Sequence, residues 1–156
     1  MTIEETVGVV CAVEFDPPSM EVEFEHLCGP LRVFLRDLAG SCKSNGRPAP
    51  VVTHVIRTEE QQRRLYKLGP NDPLRFTWHF ALPPLAANEA PEGHAVDLRT
   101  RHLDAKALAT YLHFCADNCP REQWEVLYHD VGAGMHLHVG VKSVPRYKLW
   151  LARHPT

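Results

Sequence analysis

Two histidines separated by one residue, His136 and His138, lie in the segment from Met135 to Val141. Apolar residues alternate along this segment, which predicts a β-strand. Side chains at positions i and i+2 of a strand project from the same face, so the two imidazoles converge. Neutral histidine nitrogen is a preferred zinc ligand. The pair therefore predicts a metal-binding face, with an exposed strand face as the alternative interpretation.

Asp97 is a candidate for a further ligand. It lies in the segment from His94 to Leu98, whose small and β-branched residues predict a buried strand. A buried carboxylate needs a partner, which is either a metal ion or a salt bridge at the solvated end of the strand. Because Asp97 shares its face with Ala95, His94 points to the opposite face and is a poor co-ligand.

Three further stretches carry motifs. Residues 77–80 (Thr-Trp-His-Phe) and 92–98 (Glu-Gly-His-Ala-Val-Asp-Leu) are separated by the eleven residues 81–91. Joined, they resemble the segment S-x-H-x-x-G-x-A-V-D of the zinc-dependent D-alanyl-D-alanine peptidases and the hedgehog signalling domain. Residues 51–62 resemble the V-T-S-G-Y-R-T-x-x-E-Q strand, turn and helix of the same superfamily.

The resemblance extends in order over about residues 22–142 and includes the closing hairpin of the superfamily, here residues 124–128 followed by 136–142. It implies an α+β fold of the hedgehog/DD-peptidase type, a single domain with a mostly antiparallel sheet flanked by helices. Residues 81–91 are then an insertion loop, and residues 143–156 a C-terminal tail. The insertion is interpreted either as a specificity lid or as a sign that His79 is not a ligand.

The resemblance also implies a zinc site formed by His79, Asp97 and His138. Three protein ligands leave a fourth position for water, which is typical of catalytic rather than structural zinc. Zinc in such a site activates water and polarises a peptide carbonyl. His136 would then steady the oxyanion or orient a neighbouring group, and the alternative assignment makes His136 the ligand instead of His138.

The general base is less well defined. The superfamily places a Glu or Asp either three residues before the last ligand or at the end of the preceding strand. The first place is empty here, because position 135 is Met and position 133 is Ala. The second place falls near His129 and Asp130. Asp130 is the closer chemical match, whereas His129 lies nearer the expected position.

The resemblance assigns Arg57 to the carboxylate of the substrate, which suits a planar guanidinium; the alternative is a surface arginine paired with Glu59 or Glu60. The implied function is a zinc metallopeptidase, either a carboxypeptidase or an endopeptidase or amidase, acting on short peptides such as peptidoglycan stem peptides. The alternative is a catalytically silent zinc-binding module used for recognition or phage assembly. A metal-free structural protein is a third hypothesis.

Composition limits the function classes. The 156 residues are 44% hydrophobic and 23% charged, which is typical of one globular domain over residues 1–156. A net charge of −2 argues against a nucleic-acid-binding domain. No apolar run approaches the roughly 18 residues of a membrane span.

The acidic N-terminus carries no visible export signal, and the five cysteines cannot all pair. We therefore expect a reducing, cytoplasmic location, or release of a phage-encoded protein at lysis.

The elements that must position these residues follow from apolar spacing and capping signals. Ser19 caps a helix that Gly40 ends, and Pro30 within it predicts a kink or a break into two helices. Thr58 and Gln61 form a capping box at the start of a second helix. The patterns predict strands over residues 7–15, 51–56, 94–98, 124–128 and 135–141. They predict helices over residues 58–68 and 104–118 and an irregular loop over residues 70–92. An amphipathic segment over residues 147–151 is expected either to pack on the core or to contact a partner.

Overall fold

Alternating apolar residues generate a five-stranded sheet in the computed structural model, which describes residues 13–132 and 134–155. A short 3₁₀-helix and four α-helices accompany the strands. In chain order the elements are β1 (Glu14–Phe15), the 3₁₀-helix (Pro18–His26), α1 (Gly29–Ser44), β2 (Val51–His54), α2 (Glu59–Leu65), β3 (Ala95–Arg99), α3 (Ala105–Asn118), β4 (Trp124–Asp130), β5 (Met135–Val141) and α4 (Val144–Arg153).

The strands are arranged in the order β1-β2-β3-β5-β4. β1 pairs with β2 in parallel, and the remaining neighbours are antiparallel, so the sheet is mixed. The predicted α+β class and small single domain are confirmed. Resemblance to the hedgehog/DD-peptidase fold stays a prediction. None of the helices within the described ranges is both long and apolar enough to span a membrane.

The register of the central strands separates an apolar face from a polar face. Val96 pairs with Val139 and Leu98 with Leu137, and these four side chains are buried in the main core. Helices α1 and α3 cover that face with their own apolar stripes. Asp97 alternates with these residues in β3 and therefore points to the other face. Core packing thus fixes which side chains are available for chemistry.

The predicted break into two helices at Pro30 is confirmed: Pro30 lies in the first turn of α1, where its missing N–H leaves no helical hydrogen bond unmade. The element before it is a 3₁₀-helix that begins at Pro18, so the prediction that Ser19 caps it is wrong. Two further predicted boundaries are also wrong. Gly40 does not end α1, which continues to Ser44. Cys42 is fully buried on the same stripe, and its burial offsets the cost of about 1 kcal/mol for a glycine within a helix. Strand β2 ends at His54, where its pairing with β3 becomes irregular.

Most other elements agree with the sequence patterns. The capping box of α2 is present, but α2 ends at Leu65 rather than at 68. The final hairpin and α3 match closely. Of the predicted strand 7–15, Glu14 and Phe15 form β1, and positions 7–12 lie outside the described residues.

The irregular segment 66–94 is held against the polar side of the molecule by helix α4. Phe80 and Leu82 pack against Trp150 of α4, and the three buried side chains form a second, smaller core. The predicted C-terminal amphipathic segment therefore packs on the protein. Buried Arg146 donates to the carbonyl of Pro83 over 2.8 Å. Its guanidinium also lies 2.9 Å from Oε1 of Glu92 and 3.2 Å from Oε2 of Glu89, so α4 holds both ends of the predicted insertion.

We expect Arg146→Met to lower the free energy of unfolding by about 2 kcal/mol, because it leaves a buried carbonyl and two carboxylates without their charged donor. Urea denaturation would measure the change. Arg153→Met is the matched control, since Arg153 lies exposed on the same helix. Equal stability of the two variants would contradict this account of the clamp.

Candidate metal centre

Three buried side chains meet on the polar face of the sheet. Nε2 of His79 lies 3.0 Å from Oδ1 of Asp97, and Nδ1 of His138 lies 3.1 Å from the same oxygen. The two nitrogens are 3.2 Å apart. His79, Asp97 and His138 are 1%, 3% and 6% exposed, so their donor atoms are screened from bulk water. This triangle of two nitrogens and one carboxylate oxygen could hold a metal ion.

The size of the triangle fits a small divalent ion. In a tetrahedral zinc site with bonds near 2.0–2.1 Å, the donor atoms lie about 3.4 Å from one another. The three observed separations of 3.0–3.2 Å need to expand only slightly to reach that value. Two imidazoles and one carboxylate are also a donor set that suits zinc. The residues present therefore fit the ion that the sequence predicts.

His79 is oriented by the backbone around it. Its Nδ1–H donates to the carbonyl of Val55 over 2.8 Å, which leaves the lone pair of Nε2 facing Asp97. Its own carbonyl accepts from the backbone N–H of Arg57 over 2.8 Å, and its N–H donates to Oγ1 of Thr77 over 3.2 Å. These bonds fix an irregular segment against the end of β2. The ring therefore has a fixed tautomer and direction.

Asp97 presents its second oxygen to an imidazole and a guanidinium. Oδ2 lies 3.6 Å from Nδ1 of His54 and 3.7 Å from the guanidinium of Arg57. Burial alone would raise the pKa of Asp97, but His79 and His138 outweigh burial and hold this pKa well below its usual range. The carboxylate is therefore ionised at neutral pH and available to a metal.

His138 lies between two carboxylates. Its Nδ1 faces Asp97, and its Nε2 lies 3.0 Å from Oε1 of Glu125, although the N–H bond does not point straight at that oxygen. Burial lowers the pKa of His138, but Asp97 and Glu125 more than offset burial and raise it to about 9. Sequence reasoning missed Glu125. Strand parity could have identified Glu125, because positions 125, 127 and 129 share the face of 136 and 138 once the hairpin register is known.

His136 and His129 lie beside the three donor residues. The two residues pair across the hairpin, with ring centroids 4.7 Å apart. Nε2 of His136 is 3.7 Å from Oδ1 of Asp97. The donor triangle includes His138 and not His136, which favours His138 in the choice between the two ligand assignments. Burial and the nearby His136 and His138 lower the pKa of His129.

Strand parity separates Asp130 and His94 from the donor triangle. Asp130 is the partner of Met135, one step out of phase with the site face. Its Oδ1 accepts from the backbone N–H groups of Gly132 and Gly134 over 2.7 and 3.0 Å, so this carboxylate shapes the hairpin turn. Nδ1–H of His94 donates to the carbonyl of Val141 over 3.0 Å, away from the donor triangle, as its parity predicts.

Arg57 points into the same cleft. Its guanidinium donates to Oε1 of Gln62 over 2.9 Å and approaches Asp97, with 12% of the side chain exposed. The two carboxylates named as its alternative partners contact other groups. Glu59 lies against an imidazole near the C-terminus, and Glu60 against an arginine one turn further along α2. The orientation of Arg57 agrees with a role in the cleft rather than on the outer surface.

The cleft above the donor triangle is lined by aromatic residues from the irregular segment and by residues of β4 and the turn that follows it. Tyr66, Phe76 and Trp78 line one side, and Leu127, His129 and Val131 line the other. Residues of the predicted insertion 81–91 are not among the lining residues, so it packs under α4 rather than over the cleft as a lid. Searches with this chain found no matching family model, no matching curated protein and no matching solved structure.

We expect the purified protein to bind one equivalent of zinc, and His138→Ala and Asp97→Asn each to lower zinc affinity at least a hundredfold, because each removes one of three donors. Competition with a chromophoric chelator would measure the affinity. His113→Ala is the control, since His113 lies exposed on α3 across the sheet. Wild-type protein that binds no zinc after reconstitution would exclude the site.

Zinc affinity should also depend on pH. The imidazole of His138 must lose its proton before Nδ1 can bind a metal, and its pKa is raised to about 9. Below that value protons compete with the ion, so apparent affinity should rise by up to about tenfold per pH unit toward pH 9 and then level off. Calorimetry in buffers of different ionisation enthalpy would count the released protons. Affinity that is constant over this range would contradict the raised pKa.

Proposed function

We propose that the protein is a zinc-dependent peptidase or amidase that cleaves short peptides bearing a free carboxylate. The observation that carries the proposal is the convergence of His79, Asp97 and His138 at the floor of a cleft that Arg57 and His129 also line. Three ligands from the protein leave room for water or substrate, as in catalytic rather than structural zinc sites. Bound zinc would activate water near neutral pH and polarise the scissile carbonyl.

His129 is the best candidate for a general base. Its lowered pKa keeps the ring neutral near pH 7, so it can accept a proton. It lines the cleft, whereas Asp130 turns into the hairpin loop. His136 lies next to His129 and close to Asp97, where an N–H of its ring would donate to negative charge developing on the substrate oxygen. The two imidazoles would thus divide proton transfer and charge stabilisation between them.

Arg57 would bind the carboxylate of the substrate. Its guanidinium is mostly shielded from water in the cleft, which strengthens its attraction for an anion. The neighbouring Tyr66, Phe76 and Trp78 offer apolar contact to the small side chains of a short peptide. Peptidoglycan stem peptides combine a free carboxylate with such side chains. They are the substrate class that the motif resemblance supports.

A catalytically silent zinc-binding module is the alternative. One observation favours it: apart from Asp97, Glu125 is the only carboxylate among the described residues that line the cleft, and it faces His138. In that case zinc would bind without turnover.

The test is cleavage of D-Ala-D-Ala-ended peptides and of muropeptides by the zinc-loaded protein. We expect His129→Gln to lower kcat by about 10²- to 10⁴-fold, the range for lost proton transfer, and His136→Gln by about 10²- to 10³-fold, the range for a lost charge-stabilising donor. Zinc affinity of both variants should stay within a few-fold of wild type. Arg57→Lys should mainly raise KM for substrates with a free carboxylate, because lysine cannot form the paired hydrogen bonds.

His113→Ala again serves as the control and should retain full activity. Zinc-loaded wild-type protein that cleaves none of these substrates would contradict the enzymatic proposal and support the silent module. Equal kcat in wild type and His129→Gln would instead remove His129 from the role of base.

A further inference from the structure

We propose that Glu125 is a positioning residue that makes His138, rather than His136, the third metal ligand. The inference rests on the proposed zinc site. It assigns a role at that site to a residue that lies outside the motifs carrying the three ligands. Glu125 lies in β4, thirteen positions before His138 in the sequence. The pairing of β4 with β5 brings the two side chains into contact.

The ring of His138 has a carboxylate at each nitrogen. Oδ1 of Asp97 lies 3.1 Å from Nδ1, and Oε1 of Glu125 lies 3.0 Å from Nε2. A neutral imidazole carries one proton, and a carboxylate without a proton can only accept. An ion at the donor triangle needs the lone pair of Nδ1, so the proton must reside on Nε2, where Glu125 is the acceptor in reach. A carboxylate–histidine–metal arrangement of this kind orients the ring and raises its basicity.

The hairpin register explains how Glu125 reaches the ring. Glu125 is directly opposite Gly140, two positions beyond His138 on the same face. Gly140 has no side chain, and a Cβ added there would lie 3.4 Å from Nε2 of His138, in the space beside the ring. The absent side chain leaves the diagonal path between Glu125 and His138 open. Pairs on this diagonal are within reach of long side chains.

Among the described residues, His136 has no carboxylate at the ring nitrogen that faces away from Asp97. Its cross-strand partner is His129, an imidazole, and its own Nδ1 lies 3.3 Å from the backbone carbonyl of Gly134. The acid nearest in sequence, Asp130, points to the other face and accepts from the turn. Glu125 therefore distinguishes two histidines that the sequence pattern alone leaves equivalent.

The experiment compares zinc affinity in wild type, Glu125→Gln and Glu122→Gln. Glutamine keeps the size of Glu125 but loses its charge, so we expect a loss of about 10- to 100-fold in affinity, the range for such outer carboxylates. Glu122→Gln makes the same charge change at an exposed position just before β4 and should leave affinity unchanged. NMR of the zinc-loaded proteins adds a direct readout. The Nε2 proton of His138 should move upfield and exchange faster with water in Glu125→Gln.

Unchanged affinity and an unchanged Nε2 proton in Glu125→Gln would overturn the inference while the zinc site itself stands. A loss of affinity that is matched by an equal loss of stability in the zinc-free protein would show a merely structural role and would also overturn it. Wild-type protein that binds no zinc would instead contradict the proposed function, so the two failures are distinguishable.

A second comparison tests selection between the histidines. His136→Ala should leave zinc affinity within a few-fold of wild type when Glu125 is present. In the Glu125→Gln background the same substitution should cost more, because His136 then competes for the ion. Equal costs in the two backgrounds would contradict the selective role, since independent residues give additive effects.

Discussion

A buried, ionised carboxylate is the constraint on which the rest of this structure depends. Asp97 lies in a central strand with 3% of its surface exposed, and burying an unpaired charge costs several kcal/mol. The protein compensates it from four directions, with His79 and His138 at one oxygen and Arg57 and His54 at the other. Elements distant in sequence must therefore converge on this strand for the fold to be stable.

The compensation also arranges the chemistry. Imidazoles and a guanidinium surround this carboxylate, so groups that can carry positive charge encircle a negative centre. Oδ1 faces the imidazoles of His79 and His138, where a metal ion could take the place of the protons between them and the carboxylate. Oδ2 contacts Arg57 and restrains it at the edge of the cleft. The same contacts that make Asp97 tolerable in the core would thus separate the proposed metal-binding side from the proposed carboxylate-binding side.

Local patterns predicted much of this arrangement. Alternation placed His136 and His138 on one face of their strand, and the motif resemblance grouped Asp97 with His138, which the structure pairs across neighbouring strands. The capping box at Thr58 fixed the start of α2 beside Arg57. The contribution of Glu125 was not predictable, because it depends on the pairing register of β4 with β5, which the turn geometry sets. For the same reason the sequence leaves both Asp130 and His129 as candidates for the general base. One position of register decides whether a side chain faces the cleft or the opposite side. The end of α1 was missed because tertiary burial of Cys42 outweighs a glycine signal.

The support of His79 has a mechanical consequence. Asp97 and His138 belong to neighbouring strands, but His79 is on an irregular segment that the second core and Arg146 fasten to α4. A metal bound by all three residues would act as a cross-link between the sheet and that segment. Because the ion would bind only when the segment is docked on the sheet, it would stabilise the docked arrangement by mass action. Metal loading and docking of the C-terminal helix are then thermodynamically linked, so that each strengthens the other.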